Sequence, residues 1–307
     1  MYKRQLFRSG QTIMAFLHMA VASPDFLIAL HDREITAIAY EMIERANGAR
    51  PILVPMSEVA GRLAPVVAGQ LLMTHGGGRG TLLSGIPGVP RGVVAIIGGG
   101  VLGANAARAF LNVGAQVVVL DNDISRLQHL DEVLNGRVTT MISTNYNLDR
   151  VTEFADVIVG AVLSSGRRAP IVITREMVSH MRPGAVFIDF SIDQGGCSET
   201  SRPTTLRDQT YIIDGVIHYC VPNLTAAVAR TTSYGLTNSL LPYLIAMGEF
   251  GILGTLERIP DIAPGLNLYQ DVYKRQVEAA AANALDLHAQ PARGLQQRFA
   301  AGRAAPP

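Results

Sequence analysis

The stretch VVAIIGGGVLGANAARAFLNVGAQVVVLD, residues 93–121, decides the fold. Val93 to Ile97 is a short apolar, largely β-branched run of the kind that forms a strand buried on both faces of a parallel sheet. Gly98-Gly99-Gly100-Val101-Leu102-Gly103 follows, and from Ala104 to Val113 the apolar residues recur at helical spacing until Gly114 stops the helix. Gln116 to Leu120 is a second buried run, closed by Asp121. The whole is a βαβ unit of about 30 residues. Each glycine has its own physical reading. Gly98 permits the tight turn out of the strand, Gly100 lets a pyrophosphate approach the backbone, and Gly103 lets the helix pack closely on the strand. The helix start, with Val101 first in line, presents unpaired N–H groups and a partial positive charge to a diphosphate. Asp121 stands 18 residues after Gly103, where a carboxylate can hold the adenosine ribose hydroxyls and repel a 2′-phosphate. The pattern predicts an NAD site. Glycines in a plain turn, with Asp121 capping the next helix, are the simpler alternative, but the full fingerprint between two strands and a helix favours the cofactor.

Working outward, Ile124 to Leu134 reads as a helix with Asp123 as its cap. Arg137 to Met141 reads as a strand, Leu148 to Phe154 as a helix, and Val157 to Leu163 as another apolar strand. A short helix begins at Thr174, Pro183-Gly184 turns the chain, and Ala185 to Phe190 is again a strand. Strands alternating with helices give the α/β class, a Rossmann-type doubly wound parallel sheet. The flanks differ. Ser23-Pro24 starts a helix over Phe26 to Arg33, Ile35 to Tyr40 is a strand, and Pro51 to Val54 is a strand or connector. Ser57 to Met73 is a long amphipathic helix leading into the nucleotide domain, and Leu224 to Phe250, despite Pro242, leads back out. The expected division is therefore a first part of a second domain over 1–56, the Rossmann domain over 57–223 and a return over 224–272. That second α/β domain is discontinuous and incomplete. Residues 273–307 form a tail rich in Ala and Gln, with a helix expected from about Val277.

Composition bounds the rest. A chain of 307 residues accommodates two domains at roughly 100–200 residues each. Lys plus Arg is 26 against 25 for Asp plus Glu, a formal charge of +1 without single-sign blocks, which argues against a dedicated nucleic-acid binder. Charged residues are 17% and hydrophobic ones 48%, enough for a large core and for surface buried in an oligomer. The best apolar run, Pro51 to Met73, is broken by Glu58, Arg62 and Gln70, so no membrane span is expected. Cys197 and Cys220 make no disulfide framework and no signal peptide is visible, which predicts a soluble cytosolic protein. Lys3 and Lys274 are the only lysines, and both sit in the tetrapeptide Tyr-Lys-Arg-Gln, at 2–5 and 273–276. The coincidence reads as foreign sequence at the edges of a gene fragment.

Other candidates are weighed singly. In Ile188-Asp189-Phe190-Ser191-Ile192-Asp193-Gln194-Gly195-Gly196 a strand ends in acidic residues at the carboxyl edge of the sheet, where ligands of open α/β folds bind. Asp193 reads as a general acid/base or substrate-orienting group, or else as a turn carboxylate; Asp189 reads as structural. His18, in the apolar run Phe16-Leu17-His18-Met19-Ala20, is by its setting more often a satisfied core residue than a catalyst. His218, in an alternating strand, is structural, and His75 precedes a plain loop, Gly76-Gly77-Gly78. No Cys and His spacing suggests a metal site, and no Gly-x-Ser-x-Gly elbow is present.

From Phe16 to Asn267 the sequence resembles the alanine dehydrogenase/pyridine nucleotide transhydrogenase family. FLHMA (16–20), PMSEVAGRLA (55–64), GIPGVPRG (85–92), IIGGGVLGANAA (96–107), VVLDND (118–123), IDQGGCSETSRPTT (192–205) and HYCVPN (218–223) carry the resemblance. It implies NAD-dependent interconversion of L-alanine with pyruvate and ammonia. It further implies a Rossmann domain facing a catalytic domain across a cleft, commonly in a homohexamer. His18 matches the family's histidine on the pyruvate keto oxygen, Asp193 its catalytic aspartate, and Asp121 its ribose-binding aspartate. Ser57 and Ser143 fall at cofactor-contacting positions, and Asn223 lies in the loop near the nicotinamide.

Departures from the pattern matter as well. The resemblance implies a further N-terminal segment carrying an Arg for the substrate carboxylate and a catalytic Lys, and neither has a match here. The chain is accordingly expected to be an incomplete, poorly active member. Asn223-Leu224-Thr225 stands where Asn-Met-Pro is usual, and Leu163-Ser164-Ser165-Gly166 replaces a loop that usually carries Ile-Pro-Gly. Two alternatives stay open: a soluble NAD(H)-binding component of a proton-translocating transhydrogenase, in which Glu usually replaces Asp193, and a related dehydrogenase acting on another 2-oxo acid.

Overall fold

The structure, a computed structural model, describes residues 7–269 and 272–273. Residues 1–5 and the helix expected from Val277 lie outside the described residues. The chain divides into two compact units, Met1–Arg50 with Ala246–Pro307, and Pro51–Ile245.

The first unit opens with β1 (Thr12–Ala15), α1 (Pro24–Asp32) and β2 (Thr36–Ala39). Ser23 precedes α1 and Pro24 fills its first turn, where a missing N–H leaves no bond unmade. The second unit contains α2 (Leu53–Leu72), β3 (Val93–Ile97), α3 (Val101–Asn112), β4 (Gln116–Asp121), α4 (Ile124–Val133) and β5 (Thr139–Ile142). It continues through α5 (Asn145–Phe154), β6 (Val157–Gly160), α6 (Arg175–His180), β7 (Val186–Asp189), β8 (Thr210–Ile213) and β9 (Val216–Tyr219). The chain passes back to the first unit within α7 (Ala229–Arg258) and ends its described course in β10 (Leu266–Tyr269) and β11 (Val272–Tyr273). In the first unit the sheet order is β1-β2-β10-β11, and Met19, Leu27, Leu30, Ile35, Ala37 and Leu268 form its core.

The larger sheet runs β5-β4-β3-β6-β7-β9-β8, parallel throughout except for β8. Its central strands are covered on both sides. Val94, Ile96, Val117, Val119, Val157 and Val159 belong to one core cluster, while Ala95, Ile97, Val118, Leu120 and Ile158 belong to the other. That double burial is why these strands read as unbroken apolar runs. From β3 the chain steps outward to β4 and β5, then returns to place β6 on the other side of β3. The reversal opens a crevice at the carboxyl ends of β3 and β6, the usual ligand position in such sheets.

Several expectations are corrected. Of the two readings for Pro51 to Val54 the connector holds and the strand does not: a turn at Pro51 and Ile52 runs into α2. Strand β6 stops at Gly160 rather than Leu163, because the chain leaves the sheet beside the β3 turn. The units divide along the chain at 50/51 and 245/246; Leu224 joins the nucleotide-unit core, and Gly235 lies against Pro55. Gly76-Gly77-Gly78 is a close-packed turn, in which a Cβ on Gly78 would stand 2.2 Å from the Leu71 carbonyl oxygen. The longest apolar candidate is not Pro51 to Met73. Among the described residues Leu224–Arg258 is the stretch long and apolar enough, by length and composition, to cross a membrane. Its helix leaves helical geometry at Gly251 (φ 65°, ψ 178°).

Helix α2 crosses α3 at Gly61, whose Cβ would stand 2.5 Å from the Leu102 carbonyl oxygen and 2.8 Å from the Ala106 nitrogen. Backbone cannot yield there. Gly61→Ala should therefore lower the unfolding free energy in urea by about 1–3 kcal/mol. Gly69→Ala, in the same helix with only Leu83 Cδ1 at 3.8 Å, should be neutral or stabilising by up to about 1 kcal/mol. Equal losses at the two positions would contradict this packing.

Candidate functional site

The three glycines at the end of β3 do three different things. Gly98 adopts φ 107°, donates its N–H to the Leu120 carbonyl at 2.7 Å, and would place a Cβ 2.4 Å from the Ala161 carbonyl oxygen. Gly103 would place one 1.8 Å from the Gly98 carbonyl oxygen, so α3 is pressed onto the turn. At Gly100 nothing lies within 4 Å of the Cβ position. Gly100 is also the N-cap of α3 and offers no side chain to its first-turn N–H groups; Val101, the first helical residue, is exposed. Open space over an uncapped helix N-terminus is what a pyrophosphate needs, so the residues fit a dinucleotide.

Asp121 fastens this turn to the neighbouring strands. Its Oδ2 accepts the Gly99 N–H at 2.6 Å and its Oδ1 the Asp123 N–H at 2.8 Å, with the Arg126 guanidinium 3.6 Å away. Its carbonyl accepts the Ser143 N–H at 2.9 Å, beyond the end of β5. The carboxylate is 4% exposed, yet each oxygen keeps a lone pair for a further donor such as a ribose hydroxyl. Capping of the next helix falls to Asp123, which accepts the Ser125 N–H at 2.9 Å. Ser57 is half-buried on α2.

Beyond β7 two nearby carboxylates have separate duties. Asp189 accepts from the Ser191 N–H at 2.8 Å, the Cys197 N–H at 2.9 Å and the Ser201 hydroxyl at 2.5 Å, the structural role read from the sequence. Burial, with Asp189 beside it, pushes the Cys197 thiol well above its ordinary pKa. Asp193 instead lies in the 3-10 turn Phe190–Gln194 and accepts the Asn223 N–H, at 3.1 Å from Oδ1 and 3.4 Å from Oδ2. Asn223 is left-handed (φ 52°, ψ 43°), and the Thr225 hydroxyl donates to its Oδ1 at 3.1 Å. The fold thus brings Asp193 and Asn223 together from the ends of β7 and β9. His218 is fully buried in β9; its Nδ1 donates to the Val216 carbonyl at 3.0 Å, leaving Nε2 to accept the Thr200 hydroxyl at 2.9 Å. Burial lowers its pKa, and the role is structural as expected.

In the other unit His18 is half-buried rather than a core residue, and its backbone is left-handed (φ 44°, ψ 49°). Its N–H donates to Glu41 Oε1 at 2.7 Å, and its ring stacks on Phe16 at 6.2 Å. A non-glycine residue in this region is costly and points to a local function. Three contributors escape sequence reasoning. Glu41 is one; Ser191, whose Oγ accepts the Val162 N–H at 3.0 Å, and Gln194, whose Oε1 accepts the Ser164 N–H at 3.0 Å, are the others. The latter two stitch the loop after β6 to that after β7. Glu41 had one signal, a lone charge between Ile35 and Ile43.

Comparison with known proteins adds the relatives. A family profile described as "Alanine dehydrogenase/PNT, C-terminal domain" matches residues 64–275, and "Alanine dehydrogenase/PNT, N-terminal domain" matches residues 2–60. An alanine dehydrogenase of Halomonas elongata is 46% identical over 88% of this chain and 73% of its own length. One of Mycobacterium tuberculosis is 44% identical over 86% and 71%. A solved L-alanine dehydrogenase superposes with a TM-score of 0.81 at 39% identity, covering 92% of this chain and 77% of the other. A transhydrogenase from Sinorhizobium meliloti superposes at 0.70 with 19% identity, over 90% and 76%, a likeness of fold.

The open space at Gly100 and the crowding at Gly103 separate binding from folding. Gly100→Ala should leave the melting temperature unchanged and weaken dinucleotide binding by about tenfold or more, a loss of about 1.4 kcal/mol. Gly103→Ala should cost at least about 2 kcal/mol of stability. Calorimetric titration and thermal unfolding of both variants check the contrast, which fails if Gly100→Ala binds as the wild type does.

Proposed function

The chain belongs to the alanine dehydrogenase/pyridine nucleotide transhydrogenase family, and from that premise we propose that it is an NAD-dependent dehydrogenase interconverting L-alanine with pyruvate and ammonia. The observation that carries this is identity of 46% and 44% to two alanine dehydrogenases over nearly nine-tenths of the chain. The transhydrogenase likeness, at 19%, supports the fold alone.

NAD, when bound, supplies the hydride acceptor or donor of the reaction. Everything else falls to the protein. The turn from Gly98 to Gly103 and the first N–H groups of α3 hold the pyrophosphate, Asp121 holds the adenosine ribose, and Ser57 and Ser143 add cofactor contacts. Asp121 also disfavours a 2′-phosphate, since two like charges would be brought together at a 4% exposed carboxylate. Asn223 orients Asp193 through its N–H, and the Asp193 carboxylate moves protons at the substrate nitrogen. His18 donates a hydrogen bond to the keto oxygen as its charge grows. The enzyme acts in the cytoplasm, in keeping with two buried free cysteines. It works as a homo-oligomer, a hexamer by family likeness. Tyr234, Leu241, Leu244 and Ile245, all exposed on α7, support burial of that helix against a further copy.

Pyruvate, ammonium and NADH should give L-alanine with consumption of NADH, slowly because the Arg and Lys of the family pattern have no match in the sequence, and L-alanine with NAD should run the reverse. Oxidation of NADH by a second nicotinamide cofactor, without any amino acid product, would favour the transhydrogenase reading instead. Asp193→Asn should lower turnover by about 10²–10⁴-fold while NADH binding, followed by calorimetry, holds. Binding of NAD should exceed that of NADP by about tenfold or more, about 1.4 kcal/mol; equal affinities would remove Asp121 from its assigned place.

A further inference from the structure

The left-handed backbone at His18 has a visible cause. Strands β1 and β2 are parallel with Ala15 opposite Ala39, so the residues two and three places beyond β1 meet the turn Tyr40–Met42 that follows β2. There Glu41, 6% exposed, directs one carboxylate oxygen at each of two successive amides. Oε2 accepts the Leu17 N–H at 3.3 Å and Oε1 the His18 N–H at 2.7 Å. Successive N–H groups converging on one anion form a nest, an anion-binding concavity of the backbone. Beside it the Phe16 ring lies nearly parallel to the imidazole (17°) and edge-on to Tyr40 at 5.4 Å.

We propose that Glu41 is a positioning residue for His18: its carboxylate clamps the Leu17 and His18 amides, fixes His18 in the left-handed region, and so sets the direction in which the imidazole meets substrate. The clamp deepens the dehydrogenase reading, since it rests on His18 being the group on the keto oxygen. Charge and both oxygens are needed. A glutamine of the same shape has one acceptor oxygen, and its amide group would face the second N–H donor to donor. An aspartate keeps the charge but is one methylene short.

The test uses the full chain and Glu41→Gln, Glu41→Asp, His18→Ala and Glu41→Gln/His18→Ala variants, with two readouts. Hydrogen exchange by mass spectrometry should show the segment from Thr12 to Ala20 exchanging faster in Glu41→Gln, with the rest of the chain unchanged. In pyruvate amination Glu41→Gln should lower kcat/KM by about 100-fold, as expected for a catalytic group displaced by about 1 Å, with NADH affinity retained. In the His18→Ala background the same substitution should add nothing. Glu41→Asp should give a smaller loss with the same dependence on His18, and it carries the test if Glu41→Gln does not fold. Unaltered exchange would overturn the clamp, and an equal loss with and without His18 would reduce Glu41 to general stability. A wild-type chain that binds NADH but never turns over pyruvate would instead sink the dehydrogenase reading, while the exchange result still decides whether the clamp exists.

Discussion

Crowding of backbone at the carboxyl end of β3 is the constraint on which the nucleotide unit depends. The Gly98 carbonyl lies where a Cβ on Gly103 would be, and the Ala161 carbonyl lies where one on Gly98 would be. A strand, a helix and the loop after β6 are therefore joined without intervening side chains. Every larger residue would push α3 away from the sheet or push β6 away from β3, and the crevice between those strands would close or widen with it. The same contact shortens β6, whose apolar run continues to Leu163 although its ladder stops at Gly160. Asp121 extends the constraint sideways by accepting from the Gly99 N–H, so the ends of β3 and β4 move as one.

Legibility of the fold follows from this. Residues 93–121 are readable because local patterns and tertiary demands coincide: continuous apolar strands for double burial, glycines for backbone contact, and a terminal acid. Asp123, Thr144 and Thr174 cap their helices through contacts two or three residues away, and such contacts are visible in sequence. The hairpin of β8 and β9 was also available, since Asp214 and Gly215, with φ of 52° and 80°, are the Asp-Gly turn that strand twist favours. What stays hidden are side-chain acceptors for distant amides. Glu41 serves residues 23 and 24 positions away, and Ser191 one 29 away. No periodicity encodes such pairs; only the completed sheet places them. Leu224 is a related case, because it enters the nucleotide core by packing that its local sequence does not announce.

Asp189 and Asp193 show how position along one turn divides labour between like residues. Asp189, the last residue of β7, is surrounded by donors, namely two amides, a hydroxyl and the Cys197 thiol. A carboxylate so engaged holds its neighbours in place. Four residues on, the chain has left the sheet, and Asp193 accepts a backbone N–H from Asn223 that approaches both oxygens. The first arrangement builds the loop. The second ties the turn after β7 to the end of β9.

Non-glycine residues with left-handed backbone sharpen the point. Among the described residues they are His18, Glu34, Asn135, Asp214 and Asn223. Glu34 and Asn135 close ordinary helix ends, their N–H groups donating to the His31 and Glu132 carbonyls, and Asp214 makes the hairpin turn. His18 and Asn223 do neither. Each donates its N–H to a carboxylate from a distant part of its own unit, Glu41 in one case and Asp193 in the other. A charged acceptor makes a stronger hydrogen bond than a carbonyl does, and it can hold a conformation that a bulky side chain would otherwise leave. The same device therefore stands once in each unit, at two residues whose left-handed backbone belongs to neither a helix end nor a hairpin turn. In the first unit a carboxylate holds the backbone of a histidine; in the second the backbone of an asparagine holds a carboxylate.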